Sequence, residues 1–432
     1  MKLFGNMYID NNTINIGNYS VNELAKKYKT PLYIIDEEGL IKNIEKYKNN
    51  FKSDKFETEV IYASKALLNT YMAKIIKDNN LCIDVVSGGE LFTVLKSNFD
   101  TSKIYFHGNN KLKEELLLAI KHNIGTIIID NINEFHLLEK LLAENNIKNQ
   151  GVMLRVNPGI EAHTHKYIKT TKNDSKFGES IFDSNTIELV KNIANSQYLH
   201  FKGFHCHIGS QIFEKESFFK EVEVMTDFIV EVQNKLNITV NELNLGGGFG
   251  IYYTEEDKPF EISSFLNEYI KVIEKNISNK NLDIKKVQIE PGRSLVCNYG
   301  STLYTVGNIK NTFGGKNYIF IDGGMTDNIR PALYQAKYEA ILANKVNNPK
   351  ENIYTIAGKC CESGDILIKD INLPKAEIDD LLLINSTGAY TYSMSSNYNR
   401  IEKPAMIFIN KDKINIAVKR ESYDDLIKND LI

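Results

Sequence analysis

Val60-Ile61-Tyr62-Ala63-Ser64-Lys65-Ala66 is an apolar run that stops at a lysine where a helical pattern begins. An unbroken run of this kind reads as a strand buried on both faces. Its tip aims a side chain into a cleft rather than along a solvated face. An amine held there, partly desolvated, can act as a nucleophile toward an aldehyde. Most lysines are solvated surface groups, so the reading of Lys65 depends on what surrounds it.

Outward from this run the pattern repeats. Short β-rich runs cover Glu59–Ser64, Cys82–Ser87, Lys103–His107, Thr126–Asp130, Val152–Val156, Phe201–His207, Glu242–Gly246 and Lys286–Glu290. Helical periodicity fills the gaps, as in Lys111–His122, Asn133–Glu144 and Ser217–Leu236. Strands alternating with helices imply a parallel sheet, and eight such units match a TIM (β/α)8 barrel. An open doubly wound sheet is the rival, but no GxGxxG fingerprint follows the first strand. The run ends carry Lys65, Ser87, His107, Asp130, Asn157, His207, Gly246-Gly247-Gly248 and Glu290-Pro291-Gly292-Arg293. In a TIM barrel these ends share one face, which carries the active site.

After Arg293 the helices thin out and β-patterned runs dominate: Ser301–Ile309, Tyr318–Ile321, Asn352–Ile356, Leu381–Ile384 and Ala405–Ile409. The expected division is therefore a barrel over 35–293 and a β-rich domain made of 1–34 plus 294–432. The short runs Asn6–Ile9 and Thr13–Ile16 are expected to complete that domain's sheet. Residues 157–179 lack periodicity and follow a barrel strand, so a lid is expected there. Its His163 and His165 find no carboxylate or cysteine at ligand spacing, and no metal is expected.

The 432 residues are 42% hydrophobic and 25% charged, an ordinary globular composition. A net charge of −3 gives no reason to expect nucleic acid or a membrane surface as partner. The five cysteines form no paired framework and point to free thiols in a reducing compartment. The first residues show no secretory signal and no run long enough to span a bilayer. The cytoplasm is the expected location.

Three constellations carry chemistry. Gly246-Gly247-Gly248-Phe249-Gly250 after a strand lets backbone N–H groups converge on an anion, and late TIM-barrel strands are a common phosphate site. Glu290-Pro291-Gly292-Arg293 adds a carboxylate able to pair with a protonated ring nitrogen and a planar cationic fork. In Gly203-Phe204-His205-Cys206-His207-Ile208-Gly209-Ser210-Gln211, two histidines at i and i+2 face one side of a strand, and one imidazole can stack on a cofactor ring. Amine, phosphate cradle, carboxylate and stacking imidazole together describe a pyridoxal phosphate site.

With these motifs in this order, the chain resembles the diaminopimelate decarboxylases, within the alanine-racemase-like (fold type III) pyridoxal phosphate enzymes. The likeness continues in Arg330-Pro331-Ala332-Leu333-Tyr334, Cys361-Glu362-Ser363-Gly364-Asp365 and Gly388-Ala389-Tyr390, and so covers nearly the whole length. It implies a carboxy-lyase that converts meso-2,6-diaminopimelate to L-lysine and carbon dioxide, the final step of lysine biosynthesis. It implies Lys65 as the Schiff-base lysine, His207 as the imidazole on the ring, and Glu290 as the ring-nitrogen partner. Ser210, Gly247, Gly248, the stretch Glu290, Pro291, Gly292, Arg293, and Tyr390 match the cofactor-binding set. Arg293, Arg330, Tyr334, Glu362 and Tyr390 match the substrate-binding set. Cys361 matches a proton-donating thiol that reaches the partner subunit's site, which implies a homodimer with active sites at the interface.

Alanine racemases, the nearest rival reading, share the barrel and lysine but place an arginine at the ring nitrogen, and Glu290 argues against that activity. Ornithine and arginine decarboxylases hold a distal amine with an acidic residue, yet Gln335 follows Tyr334 here. Arg293 and Arg330 suit a distal carboxylate instead. A regulatory homologue without chemistry is expected to lose the lysine or the thiol, and both remain. Two departures stand out. Leu67 follows Lys65-Ala66 where relatives often have Asn, and the thiol is doubled as Cys360-Cys361. Cys361 is chosen because it directly precedes Glu362, and Cys360 is expected to point the other way.

Overall fold

The computed structural model describes residues 2–160 and 175–431. His163 and His165, and the centre of the expected lid, lie outside the described residues. The chain divides into two compact units. One comprises Ile44–Gly250 and Pro259–Ser294. The other comprises Met1–Asn43, Ile251–Lys258 and Leu295–Ile432.

The first unit is a closed parallel barrel. Its strands are β1 (Glu57–Ala63), β2 (Cys82–Val85), β3 (Ile104–Phe106), β4 (Thr126–Ile129), β5 (Gln150–Asn157), β6 (Leu199–His205), β7 (Glu242–Asn244) and β8 (Lys286–Ile289). Each pairs in parallel with the next, and β8 returns to β1 with Ile289 opposite Val60. Ile61, Cys82, Tyr105, Ile128 and Met153, from five successive strands, form one buried cluster. That is why these strands read as unbroken apolar runs: one face packs inside the barrel, the other against helices.

The helices start where short polar side chains cap them. Asn69 caps α1 (Thr70–Asp78), Ser87 caps α2 (Gly88–Lys96) and Asn131 caps α4 (Ile132–Glu144), each accepting a backbone N–H of the first turn; α3 spans Lys113–Lys121. Ser87 therefore owes its place at the rim to capping. Behind α3, Lys111 is buried, its Nζ 2.6 Å from Glu134 Oε1 and 2.7 Å from the Ile128 carbonyl. An ammonium and a carboxylate both out of water are tolerated because each is paired and hydrogen-bonded.

The β-rich unit carries a nine-stranded sheet. Its main path runs Ile366–Leu373, Asn352–Ala357, Asn317–Ile321, Gly300–Asn311, Leu32–Asp36, Ala405–Asn410 and Lys413–Val418. The expectation that the first β-like runs complete this sheet is corrected. Met7–Asp10, Thr13–Ile16 and Tyr19–Ser20 form a three-stranded sheet of their own. They join the unit by side-chain packing, with Ile14 and Ile16 in one core with Leu32, Ile34, Leu303 and Ile407. Among the described residues no helix is long and apolar enough to cross a membrane.

On the barrel wall, Glu221 of α6 (Lys215–Leu236; α5 is Ser184–Asn195) is fully buried. The Cys206 thiol donates to its Oε1 at 3.1 Å, and the Tyr269 hydroxyl to its Oε2 at 3.5 Å. Burial raises this carboxyl from 4.5 to about 8. The folded chain thus keeps a proton that the unfolded chain releases near 4.5, so stability falls as pH rises from there to about 8. Glu221→Gln removes that loss. Urea unfolding at several pH values is expected to show the variant gaining on the parent by a few kcal/mol toward the alkaline end. Parallel pH profiles for the two proteins would contradict this.

Candidate active site

Glu290, directly after β8, collects groups from three other strand ends. Its Oε1 accepts from His107 Nε2 at 2.9 Å and from Asn244 Nδ2 at 2.7 Å. Its Oε2 lies 3.3 Å from His205 Nε2, but out of line for a hydrogen bond, and neither His205 nitrogen has a hydrogen-bond partner. His205 is 1% exposed and Glu290 9%. Burial pushes both imidazoles down, His205 to about 3, so both are neutral at ordinary pH. Burial alone would raise the Glu290 carboxyl. His107 and His205 outweigh it and hold Glu290 well below the usual carboxylate range. The arrangement suits an anionic carboxylate that accepts from His107 and Asn244. The ligand atoms of His107, His205 and Glu290 lie within 4.8 Å of one another, which is also compatible with a metal ion.

The glycine loop sits against this cluster. Gly246 and Gly248 have φ of +61° and +111°, left-handed values that other residues resist. A Cβ on Gly247 would stand 2.2 Å from the Glu290 carbonyl, and one on Gly248 2.3 Å from the Gly209 carbonyl. Only bare backbone allows the loop this close to both neighbours. The Gly247 N–H donates to His207 Nδ1 at 3.3 Å, which leaves the proton of a neutral His207 on Nε2. Burial pushes His207 well below the usual histidine range, helped by Lys65 and Arg155. Arg293 brings Nη2 and Nε to 3.2 and 3.3 Å from Ser210 Oγ, so a guanidinium and a hydroxyl meet beside the Gly209–Gly248 contact.

Lys65 lies in a single 3-10 turn, Ser64–Ala66, just past β1. It is exposed, which corrects the expectation of a partly desolvated amine: the turn carries it off the strand onto the open rim. Two buried or half-buried acids stand near it. Asp84 accepts the Ser64 N–H at 2.7 Å, and Glu90 accepts the Val86 N–H at 2.7 Å. Burial raises both carboxyls, with Glu290 adding to Asp84, while Lys65 opposes the rise in each.

The remaining expected site residues lie in the β-rich unit. Arg330 is buried, with its guanidinium 4.9 Å from the Tyr253 ring centre and bonded to the Tyr338 hydroxyl. It opens the short helix Arg330–Tyr334. Cys361 and Glu362 are exposed on the loop between Asn352–Ala357 and Ile366–Leu373, and Tyr390 is half-buried with φ of +59°. Cys360 is buried, its N–H bonded to Asp365 Oδ2 at 2.8 Å, and burial with Asp365 pushes its thiol up to about 12. Ser363 and Gly364 of the same loop border a groove of about 680 Å³, with Pro331, Gln335 and Tyr338 on its other side.

Two residues at the heart of the barrel site, Asn244 and Asp84, were not singled out in the sequence reading, and His107 was placed on the active face without a role of its own. The signal available was a polar residue within or ending an apolar run, as in Cys82-Ile83-Asp84-Val85 and Leu243-Asn244-Leu245.

The chain resembles known proteins over nearly its whole length. Residues 38–297 match the family described as pyridoxal-dependent decarboxylase, pyridoxal binding domain. The chain is 45% identical to diaminopimelate decarboxylase of Bacillus subtilis (strain 168), over 97% of this chain and 95% of that one. It is 42% identical to the enzyme of the same name from Staphylococcus aureus (strain COL), over 98% and 99%. Among solved structures it is similar to diaminopimelate decarboxylase from M. jannaschii in co-complex with L-lysine, at a TM-score of 0.92 and 34% identity, covering 100% and 99% of the two chains. With the matched segment spanning more than half its length and relatives aligned over nearly all of it, the chain belongs to the pyridoxal-dependent decarboxylase family.

Proposed function

We propose that this chain releases carbon dioxide from meso-2,6-diaminopimelate to give L-lysine, the last step of lysine biosynthesis. The observation that carries the reading is the buried Glu290 carboxyl group, which has Oε1 taken by His107 and Asn244 while Oε2 accepts no hydrogen bond from a neighbour. The residues present suit pyridoxal phosphate, the cofactor of the family. Glu290 suits a protonated ring nitrogen, the tethered His207 suits the ring face, and Ser210, Gly247, Gly248, Pro291, Gly292 and Arg293 suit the phosphate. When bound, the cofactor supplies an aldehyde for an amine and a cationic ring that takes up the electron pair left by the departing carboxylate.

The chain's own residues do the rest. Lys65 would hold the cofactor through its amine. Glu290 keeps the proton on the ring nitrogen, which an arginine at that position would not do. Cys361, exposed on its loop, delivers a proton to the substrate carbon in the site of the partner subunit, so the working unit is a homodimer. Arg330, Tyr334, Glu362 and Tyr390, with Arg293, hold the second carboxylate and amine of the diacid. Cys360 is held inward beside Asp365, poorly placed to serve as the donor. In this division of labour residues 35–293 bind the cofactor, and 1–34 plus 294–432 supply substrate and interface residues. All five cysteines are free, as a reducing compartment requires, and the cytoplasm is the proposed location.

The substrate reading is supported by the names of the relatives and by the L-lysine bound to the M. jannaschii enzyme. The purified protein with pyridoxal phosphate is expected to release carbon dioxide from meso-diaminopimelate and not from ornithine, arginine or alanine. Release from ornithine alone would overturn it. Lys65→Ala is expected to lose the yellow colour of the bound cofactor as well as turnover. For the shared site, mixing and refolding Lys65→Ala with Cys361→Ala is expected to restore about a quarter of parental activity, because hybrid dimers contain one intact site. A mixture as inactive as its components would refute the exchange of Cys361 between subunits.

A further inference from the structure

We propose that His107 and Asn244 are positioning residues that decide which oxygen of Glu290 faces the cofactor ring and keep that carboxylate in its charged form. The inference rests on the reading of Glu290 as ring-nitrogen partner and extends it to the two residues that donate to its Oε1.

The geometry is asymmetric. Oε1 takes both strong donors, His107 Nε2 at 2.9 Å from the end of β3 and Asn244 Nδ2 at 2.7 Å from β7. Oε2 has only the misaligned His205 Nε2 at 3.3 Å. A carboxylate oxygen has two lone-pair directions in its plane, so two donors saturate Oε1 and leave Oε2 to a ring N–H. The Asn244 amide cannot turn its oxygen toward Glu290, because Oδ1 already accepts the Gly246 N–H at 2.9 Å. Asn244 therefore ties the orientation of Glu290 to the first glycine of the phosphate loop, and the Glu290 N–H returns to the Gly246 carbonyl at 2.6 Å. His107, buried and neutral, can donate from Nε2 without adding a charge that would repel a cationic ring.

The other ionisable groups facing Glu290 are Asp84, Arg155, His205, Cys206 and His207. None of them bonds Oε1. Each donor on Oε1 lowers the basicity of the carboxylate. Without them, a buried Glu290 competes for the ring proton and the ring loses its cationic form. Such loss acts on the reaction step and leaves substrate binding alone.

The test uses holoenzyme loaded with pyridoxal phosphate carrying 15N in the ring, with kinetics on the same samples. The parent and His107→Gln, whose amide can donate from a similar place, are expected to show a pyridinium nitrogen resonance. His107→Leu is expected to move that resonance toward neutral pyridine and to lower kcat by about tenfold or more, with KM within about twofold. If His107→Leu fails to fold or to hold cofactor, Asn244→Ala carries the same expectations. A pyridinium signal and parental kcat in the leucine variant, or equal defects in the leucine and glutamine variants, would overturn the inference. Glu290→Gln separates the two levels. If it also keeps the pyridinium signal and full turnover, the ring-partner reading of Glu290 fails. If it loses both while His107→Leu does not, only the positioning role fails.

Discussion

A buried negative charge with one oxygen saturated and the other open sets the conditions for the rest of the barrel rim. Burying a carboxylate costs several kcal/mol unless hydrogen bonds replace the lost water. Glu290 is held by an imidazole donor from β3 and an amide donor from β7, with a second imidazole from β6 alongside. These strands are far apart in sequence, and the closed eight-strand order is what brings their ends to one place. Burial pushes both histidines below the usual imidazole range, His205 to about 3. The glycine loop is bound into the same cluster through Asn244 and the Gly246 carbonyl, so the proposed phosphate and ring-nitrogen sites share one framework.

Much of this was legible in the sequence. All eight barrel strands lie within or overlap the apolar runs, because strands buried on both faces need unbroken hydrophobicity and helices between them need a different period. The β-rich runs after Arg293 likewise became strands. Pairing was less legible. Asn6–Ile9 and Thr13–Ile16 announce strands by composition, but alternation says which face is buried and not which strand lies alongside. They close on each other as a hairpin instead of extending the larger sheet. Leu32–Asp36, which spans the expected boundary at residue 35, is the strand that enters the large sheet, beside Gly300–Asn311.

At the site, residue types with an obvious charge or motif were found, and those that act through a neighbour were not. Glu290, Lys65 and the glycines stand in recognisable strings. Asn244 is one polar residue in an apolar strand, and its role exists only through the chemistry of Glu290 and Gly246. Ser87 stands at the rim as read, with a helix cap as its visible task. The desolvation expected of Lys65 fell to its neighbour Asp84, and Lys65 itself stands on the open rim. The doubled thiol resolves into one buried and one exposed sulfur, a distinction that depends on the turn after Ala357 and not on residue type.

The account centres on the open oxygen of Glu290, and the most direct measurement is a crystal structure of the chain with pyridoxal phosphate. The expected result is density continuous with the Lys65 amine, the ring nitrogen at roughly 2.7 Å from Oε2, and Oε1 still bonded to His107 and Asn244. A ring nitrogen turned toward an arginine or solvent, or a cofactor joined elsewhere than at Lys65, would contradict it.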